Sequence, residues 1–310
     1  MQGKLVTLIG GGGFLGRYVA QELFKREARV RIAQRDPKEA YFIRPLGGLG
    51  QTQFVAADIR RPETLGPALA GADAVVNLVG VLNGDFQAFH VEGPRHLARA
   101  CAEAGVRALV HVSAIGADAA SPSAYGRSKG EGEAAVRAAY PGATILRPSI
   151  VFGREDAFVN RFAGMIASAP IVPIVRAGVK FQPVYVADVA EAVARVLAEP
   201  AAHAGKTYEL GGPDVVTMGA LQRWIAKAIG ARPNFVELPD AVSAMIARAG
   251  FLPGAPITWD QWLMLQRDNV VAPGADGLAA LGVAPTPLET VAPGWLVRFR
   301  RQGRFTAVQA

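Results

Sequence analysis

A run of glycines near the N-terminus constrains the fold of this chain more than any other feature. Gly10, Gly13 and Gly16 give the pattern GxxGxxG between an apolar stretch at residues 4–9 and residues 14–26, where apolar side chains recur at helical spacing. In such a strand–loop–helix unit the glycines permit a tight turn, close approach of a pyrophosphate, and packing of the helix on the strand. The helix N-terminus then directs free N–H groups at the phosphates. The pattern predicts a dinucleotide site; the alternative is a glycine-rich turn without a ligand.

Strands and helices continue to alternate through the first two-thirds of the chain. Further strands are predicted at residues 29–34, 53–57, 74–79, 108–112 and 143–146, and helices at residues 86–104 and 124–139. Short apolar strands separated by helices indicate βαβ units and a parallel sheet covered on both faces. We therefore predict an α/β fold, a doubly wound parallel sheet of Rossmann type with about seven strands and a smaller C-terminal lobe.

Prolines become frequent after Gly153, and the pattern changes there. A strand is predicted at residues 182–186, a helix at 188–198 and a strand at 206–210, and the chain looks mostly helical from about residue 217. We assign residues 1–153 and 181–200 to the dinucleotide-binding domain. Residues 154–180 and 201–297 are assigned to the smaller lobe, for a substrate or partner, and residues 298–310 to a basic tail.

The end of the second strand distinguishes NAD from NADP sites. An NAD site usually has an acid there to bind the ribose 2′-OH, whereas this chain has Gln34 and Arg35, and its first acid is Asp36. A guanidinium suits a 2′-phosphate. The sequence therefore favours NADP(H) over NAD(H), with Arg17 as a second positive charge near the same phosphate. The alternative for Arg35 is a solvated charge at a strand end.

Asp58 follows the third predicted strand. At this position its carboxylate could accept a hydrogen bond from the adenine amino group. The alternative is a turn-forming aspartate before Arg60-Arg61-Pro62.

Tyr125 and Lys129 form a YxxxK motif on the helix after the fifth strand. The i,i+4 spacing places both side chains on one helix face. An ammonium beside a phenol lowers the phenol's pKa, so Tyr125 can exchange a proton with a substrate oxygen. The motif alone is common, but on this helix, about 110 residues after the glycine loop, it is specific.

With the glycine motif, these residues resemble the short-chain dehydrogenase/reductase superfamily, in its extended or atypical branch of epimerase/dehydratase-like proteins. Five further segments carry the resemblance: Asn77-Leu78-Val79-Gly80, Val112-Ser113, Arg147-Pro148-Ser149-Ile150-Val151-Phe152-Gly153, Pro183-Val184-Tyr185-Val186-Ala187-Asp188 and Tyr208-Glu209-Leu210-Gly211-Gly212-Pro213. The resemblance implies that Tyr125 is the catalytic acid–base, that Lys129 also binds the nicotinamide ribose, and that the Pro148 region lines the nicotinamide. The cofactor-binding residues are then Gly10, Gly13, Phe14, Leu15, Gly16, Arg17, Gln34, Arg35, Asp58, Leu78, Val79, Gly80, Lys129, Pro148 and Ile150.

A narrower resemblance extends into the C-terminal lobe. Segments at residues 14–19, 44–51, 152–156, 182–186 and 281–289 are similar to the nucleotide-binding accessory (alpha subcomplex) subunits of respiratory complex I, NADH:ubiquinone oxidoreductase. That family binds NADP(H) tightly and is thought to support assembly and stability rather than turnover. The sequence has no targeting peptide, so a bacterial relative is expected, and its membership of a respiratory complex stays open.

The active-site motif departs from the extended branch at one position. That branch often carries Ser-Ser or Ser-Thr after the fifth strand, whereas this chain has Ser113-Ala114. Ser113 either serves as the third catalytic residue or caps the strand end. Two functions therefore stay open: a cofactor-stabilised scaffold or redox sensor with little turnover, and an NADP-dependent oxidoreductase or epimerase acting on a carbonyl, quinone or sugar nucleotide.

Charge and composition bear on partners and location. The net charge is +7, and the last 13 residues hold four arginines and no acid. Part of this excess is explained by dinucleotide phosphates, and no nucleic-acid-binding motif is present, so no nucleic acid is expected. One cysteine and four histidines without ligand spacing predict no metal site. We expect a cytoplasmic protein, peripheral on the inner face of the cytoplasmic membrane if its C-terminal lobe and tail contact a membrane or respiratory complex. The alternative for the tail is a solvated end.

Overall fold

The computed structural model describes residues 1–250 and 257–305, which divide into two compact units. The sheet unit comprises Met1–Pro148, Val186–Leu210 and Pro273–Ala284. The second unit comprises Ser149–Tyr185, Gly211–Ala272 and Pro285–Ala310. No helix in the described part of the chain is long and apolar enough to cross a bilayer.

The regular elements are numbered in chain order. The strands are β1 (Leu5–Ile9), β2 (Arg29–Gln34), β3 (Thr52–Ala56), β4 (Ala74–Asn77), β5 (Ala108–Val112), β6 (Thr144–Pro148), β7 (Val151–Phe152), β8 (Ile171–Val175), β9 (Lys180–Phe181), β10 (Val184–Tyr185), β11 (Thr207–Leu210), β12 (Val216–Thr217) and β13 (Asn234–Leu238). The helices are α1 (Phe14–Lys25), α2 (Leu65–Leu69), α3 (Gly93–Glu103), α4 (Ala124–Ala139), α5 (Val159–Ser168), α6 (Val186–Ala198), α7 (Pro200–His203), α8 (Met218–Ile229), α9 (Asp240–Arg248), α10 (Trp259–Met264), α11 (Leu288–Val291) and α12 (Pro293–Leu296).

The sheet unit contains a seven-stranded sheet in the order β11-β6-β5-β4-β1-β2-β3, with every pairing parallel. Strands β1 and β5 are buried along their whole length, as expected when helices cover both faces. The strand order reverses at β1, which pairs with both β2 and β4. Ligands of open α/β sheets bind at the carboxyl ends of the strands beside such a reversal. The predicted fold class is confirmed.

The second unit is less helical than the sequence suggested. Helices α5 and α8 pack around a core that includes Phe152, Ile225 and Leu296. The unit also holds three two-stranded sheets, β7–β10 and β8–β13 parallel and β9–β12 antiparallel. Strand β13 lies where helix was predicted. Because its partner β8 lies about 60 residues earlier, no local pattern signals the pairing.

The boundaries between the units differ from the predicted domains in four places. Residues 149–153 and 181–185 belong to the second unit, because β7 pairs with β10. Residues 201–210 belong to the sheet unit, because β11 extends the large sheet beside β6. Residues 273–284 return to the sheet unit, where the Glu209 N–H donates to the carbonyl oxygen of Asp276 at 2.8 Å.

Helix α4 lies very close to the chain segment before α3. A Cβ at Gly132 would overlap the carbonyl oxygen of His90. We expect Gly132→Ala to lower the free energy of unfolding by about 1–3 kcal/mol, since overpacking forces a backbone shift. Gly294→Ala is the control, because a Cβ at that exposed helical glycine meets nothing within 4 Å and alanine favours helix. Equal unfolding free energies for the two variants in urea titrations would contradict the close approach.

Candidate functional site

The glycine loop at the carboxyl end of β1 forms a cradle that side chains would fill. Gly10 has a φ of +77°, and a Cβ there would also lie 3.0 Å from Cγ2 of Val79. A Cβ at Gly12 would overlap the amide oxygen of Gln34, and one at Gly16 would overlap the carbonyl of Gly11. The N-cap of α1 is Gly13, which has no side chain to bind the first-turn N–H groups. These features fit a dinucleotide pyrophosphate.

The end of β2 carries an exposed cation and no carboxylate in the position of an NAD ribose acceptor. Gln34 bends back and donates through Nε2 to the carbonyl oxygen of Asp36 at 2.6 Å. The Asp36 carboxylate accepts from the Lys38 N–H at 2.9 Å and so caps the following 3₁₀ turn. Arg35 is exposed. The first acid after β2 is therefore engaged by its own turn.

Asp58 lies near Arg35 and is paired with Arg60. The Arg60 guanidinium donates to both carboxylate oxygens at 3.0 and 2.6 Å, and the Arg60 N–H also donates to Oδ1. These hydrogen bonds lower the pKa of Asp58, and the charge of Arg35 contributes in the same direction. The turn-forming role, which the sequence left as an alternative, is thus present.

Arg17 stacks on an aromatic ring that the sequence did not single out. Its guanidinium carbon lies 4.4 Å from the ring centre of Phe42, within the 3₁₀ segment Pro37–Leu46. An aromatic face under a guanidinium restricts its orientation while leaving its N–H groups available in the ring plane. Phe42 has no motif around it, so only the tertiary structure reveals the contact.

The loop after β4 lies between the glycine cradle and Lys129. Val79 contacts Gly10, as described above, and a Cβ at Gly80 would lie 3.3 Å from Nζ of Lys129. The Val79 N–H donates to the side chain of Asn77 at 3.1 Å, which fixes the first turn of the loop. The structure thus brings together three of the sequence-predicted segments.

Tyr125 and Lys129 share one face of α4. Nζ of Lys129 lies 5.9 Å from the ring centre of Tyr125 and 3.5 Å from the carbonyl oxygen of Val112. Burial lowers the pKa of Lys129 to about 8, although the negative charge of Glu133 acts to raise it. Burial raises the pKa of Tyr125 to about 12. The protein itself therefore keeps the phenol protonated, as a general acid requires.

Ser113 directly follows β5 and is buried. Its Oγ has no hydrogen-bond partner among the described residues, while its N–H donates to the Leu146 carbonyl at 2.7 Å. A buried hydroxyl without a partner is costly unless a ligand or water satisfies it. The structure places Ala114 next to it, without a hydroxyl, as the sequence requires.

Two buried histidines, His90 and His111, lie near Lys129 and are not among the predicted site residues. Nδ1 of His111 accepts from Nδ2 of Asn77 at 3.0 Å, because Oδ1 of Asn77 already binds an N–H. His90 bonds to the loop after β4 and to α4. Burial, aided by the charge of Lys129, lowers the pKa of each to about 3, so both rings are neutral. A histidine within an apolar run gives no spacing signal, so sequence alone could not find these contacts.

A buried ion pair anchors α4 to the sheet. Arg147 on β6 binds both carboxylate oxygens of Glu133 at 2.9 and 2.6 Å, and Glu209 on β11 lies 3.4 Å away. Glu133 is one helical turn after Lys129 and partly offsets its buried charge. Arg147 was noted only as part of a family motif.

Phe14 and Leu15 begin α1, and Leu78 directly follows β4. Two further predicted positions fall in different units. Pro148 ends β6 in the sheet unit and accepts from the Ile115 N–H at 3.0 Å. Ile150 belongs to the second unit, where its N–H donates to the side chain of Asn269 at 3.2 Å.

The parallel sheet, the glycine cradle and the adjoining Tyr–Lys pair define an NAD(P)-binding protein of Rossmann type. Residues 6–211 match the model of the NAD dependent epimerase/dehydratase family. The match covers more than half of the chain, and the chain belongs to this family.

The chain is also similar to individual proteins and to solved structures. The chain is 37% identical over 298 residues to NADH dehydrogenase [ubiquinone] 1 alpha subcomplex subunit 9, mitochondrial, of Rattus norvegicus, covering 93% of this chain and 78% of that one. It is 29% identical over 241 residues to a ceramide reductase of Caulobacter vibrioides, covering 76% and 74%. An NADPH-dependent quinone oxidoreductase of Escherichia coli, solved with NADPH, shares the fold, with a TM-score of 0.74 and 23% identity over 93% of this chain and 98% of that one.

The buried charge of Lys129 makes stability depend on pH. Its pKa of about 8 is below the unfolded value of 10.5, so the unfolded state binds more protons between these pH values and stability rises with pH there. We expect Lys129→Met to be more stable than the ligand-free parent at pH 7, by about 2–3 kcal/mol. The difference should shrink from pH 8 to 10.5. Urea titrations across this range measure it, with exposed Lys38→Met as the control. A Lys129→Met variant less stable at pH 7 would contradict the buried ammonium.

Proposed function

We propose that the protein binds NADP(H) and serves mainly as a cofactor-stabilised structural or redox-sensing component, with little turnover. The observation that most supports NADP(H) binding is the glycine cradle beside the exposed Arg35. The nearest acid, Asp36, is engaged in its own turn. The likeness to a complex I accessory subunit supports the structural part of this role.

The preference for NADP(H) follows from charge at the end of β2. A 2′-phosphate would gain charge-assisted hydrogen bonds from Arg35. Arg17, which stacks on Phe42, is proposed as a second positive charge near the same phosphate. A 2′-hydroxyl would need a carboxylate, and Asp36 is committed to Lys38. The other predicted residues would contact different parts of the dinucleotide. Those at the start of α1 are Phe14, Leu15 and Gly16. Gln34 and Asp58 would lie around the adenosine, and Leu78, Val79 and Gly80 beside the nicotinamide half.

Catalysis on a carbonyl, quinone or sugar-nucleotide substrate is the second candidate function. The observation in its favour is the intact pair on α4 with the unpartnered Ser113 hydroxyl at the end of β5. The dinucleotide would supply or accept a hydride. Tyr125 would hold the proton for the substrate oxygen, Lys129 would lower the phenol's pKa, and Ser113 would donate a hydrogen bond to the substrate. Pro148 and Ile150 are the positions proposed to flank the nicotinamide.

The proposed partner is a respiratory complex or an anionic membrane surface, reached through the second unit and tail from the cytoplasmic side. In the tail, Phe299 packs against the second unit's core and Arg300 donates to the Ala228 carbonyl at 3.1 Å, while Phe305 is exposed. Residues 306–310 of the tail lie outside the described residues. The exposed part carries Arg298 and Arg301 and suits acidic groups.

Cofactor choice can be tested with a matched pair of arginine variants. We expect Arg35→Ser to weaken NADPH binding by about 10- to 100-fold and leave NADH binding within about twofold, because only the 2′-phosphate loses a charge-assisted bond. Arg29→Ser, at the opposite end of β2 and also exposed, should change neither affinity. Calorimetric titration of both nucleotides gives the values. Equal losses for NADPH and NADH in Arg35→Ser would refute the assignment.

Turnover separates the two candidate functions. With NADPH bound, we expect the parent protein to oxidise the cofactor no faster than Tyr125→Phe across a panel of carbonyls and quinones, followed by absorbance. A rate that depends on Tyr125 would overturn the structural role and establish the enzymatic one. Co-migration with a respiratory complex in mild detergent would support the structural role.

A further inference from the structure

We propose that His90 is a positioning residue, which clamps the loop after β4 to the helix that carries Tyr125. The proposal goes beyond nucleotide binding and rests on the proposed function only in treating Tyr125 as the acid–base residue. Neither the glycine motif nor the YxxxK motif includes His90, and its contacts with both parts of the site appear only in the folded chain.

The side chain of His90 lies at the junction of three segments. It is 2% exposed, in the π-helical turn Gln87–Glu92 that precedes α3. Turns of this kind are rare and often occur at functional sites. The overlap that a Cβ at Gly132 would cause shows that the backbone at His90 rests directly on α4.

The hydrogen bonds of His90 form a chain with one direction. The Val81 N–H donates to Nε2 at 3.0 Å, so Nε2 carries no proton. In the neutral ring Nδ1 is then protonated and donates to Oγ of Ser128 at 2.9 Å. The Ser128 hydroxyl donates to the carbonyl oxygen of Tyr125, also at 2.9 Å. This chain of hydrogen bonds leads from the loop beside Gly80 to the backbone of Tyr125, and each donor in it has an acceptor.

Aromatic contacts orient the Tyr125 ring itself. The His90 ring meets it edge-on, with ring centres 5.5 Å apart, and stacks on Phe86 at 5.3 Å. Phe86 meets Tyr125 edge-on at 6.0 Å. These contacts limit the directions that the phenol can take. The same imidazole thus holds the loop after β4 through Nε2, holds α4 through Nδ1, and contacts the phenol ring edge-on.

A charged ring would break this arrangement, because a protonated Nε2 cannot accept from Val81. Lys129 and His111 are the titratable neighbours that act electrostatically on the ring, and the positive charge of Lys129 opposes a second one. Lys129 thereby helps to hold His90 in its neutral form.

The tautomer of His90 provides a direct test. Long-range ¹H–¹⁵N spectra of the full-length, ligand-free protein at pH 7 should show one histidine with Nδ1 protonated and Nε2 unprotonated. Single substitutions of the four histidines assign it, so the assignment survives even if His90→Phe fails to fold. A charged ring, or a proton on Nε2, would overturn the proposal.

Three variants test the clamp. His90→Phe keeps a ring but removes both hydrogen bonds of the imidazole. Ser128→Ala removes the acceptor of Nδ1 and the donor to the Tyr125 carbonyl but keeps the Val81 bond. His203→Phe breaks a histidine–tyrosine bond to Tyr208 elsewhere in the sheet unit. We expect the Val81 amide to exchange at least about tenfold faster in His90→Phe alone. The Tyr125 ring resonance, assigned by its loss in Tyr125→Phe, should shift in His90→Phe and Ser128→Ala but not in His203→Phe.

The outcomes are distinguishable from general destabilisation and from failure of the proposed function. A structural defect would accelerate core amides such as that of Val6 as well, and unchanged Val6 exchange excludes it. Unaltered Val81 exchange in His90→Phe, or an unshifted Tyr125 ring in both site variants, would refute the clamp. None of these measurements requires bound nucleotide, so they remain decisive even if NADPH does not bind.

Discussion

The buried ammonium of Lys129 is the constraint around which the site is organised. Removing such a charge from water is costly, and the protein offsets it through the Val112 carbonyl and through Glu133 one turn along α4. Arg147 in turn holds Glu133, so the helix and two strands are joined by one ionic cluster. His90 and His111 are neutral because burial, together with the charge of Lys129, lowers the pKa of each ring. Burial, which raises the pKa of Tyr125 to about 12, keeps the phenol beside this ammonium protonated.

Local motifs were enough to predict the fold class and the elements that carry the site. The glycines of the first loop and the i,i+4 pair on α4 are contiguous in sequence, so their geometry is nearly fixed by the element they lie on. That both contribute to one site was implied by the family resemblance. The parallel sheet accounts for it, because the carboxyl ends of β1, β4 and β5 meet at one edge.

The parts that sequence did not predict depend on contacts between distant segments. His90 and Phe42 acquire their contacts only when turns remote in sequence meet α4 and α1. The pairing of β13 with β8 and the return of residues 273–284 to the sheet unit are likewise non-local. Single-sequence patterns report on neighbours in the chain, and no local periodicity distinguishes a buried site histidine from a packing residue.

The chain path through the two units also has a kinetic consequence. The large sheet is not complete when β6 has been made, because β11 follows about 60 residues later. The sheet unit as a whole also needs residues 273–284, which are made later still. Closing such loops costs entropy before the contacts form, which slows folding. During synthesis, six strands with an open edge at β6 precede β11 by the time needed to translate residues 149–206. Exposed edges of this kind invite strand pairing with other chains.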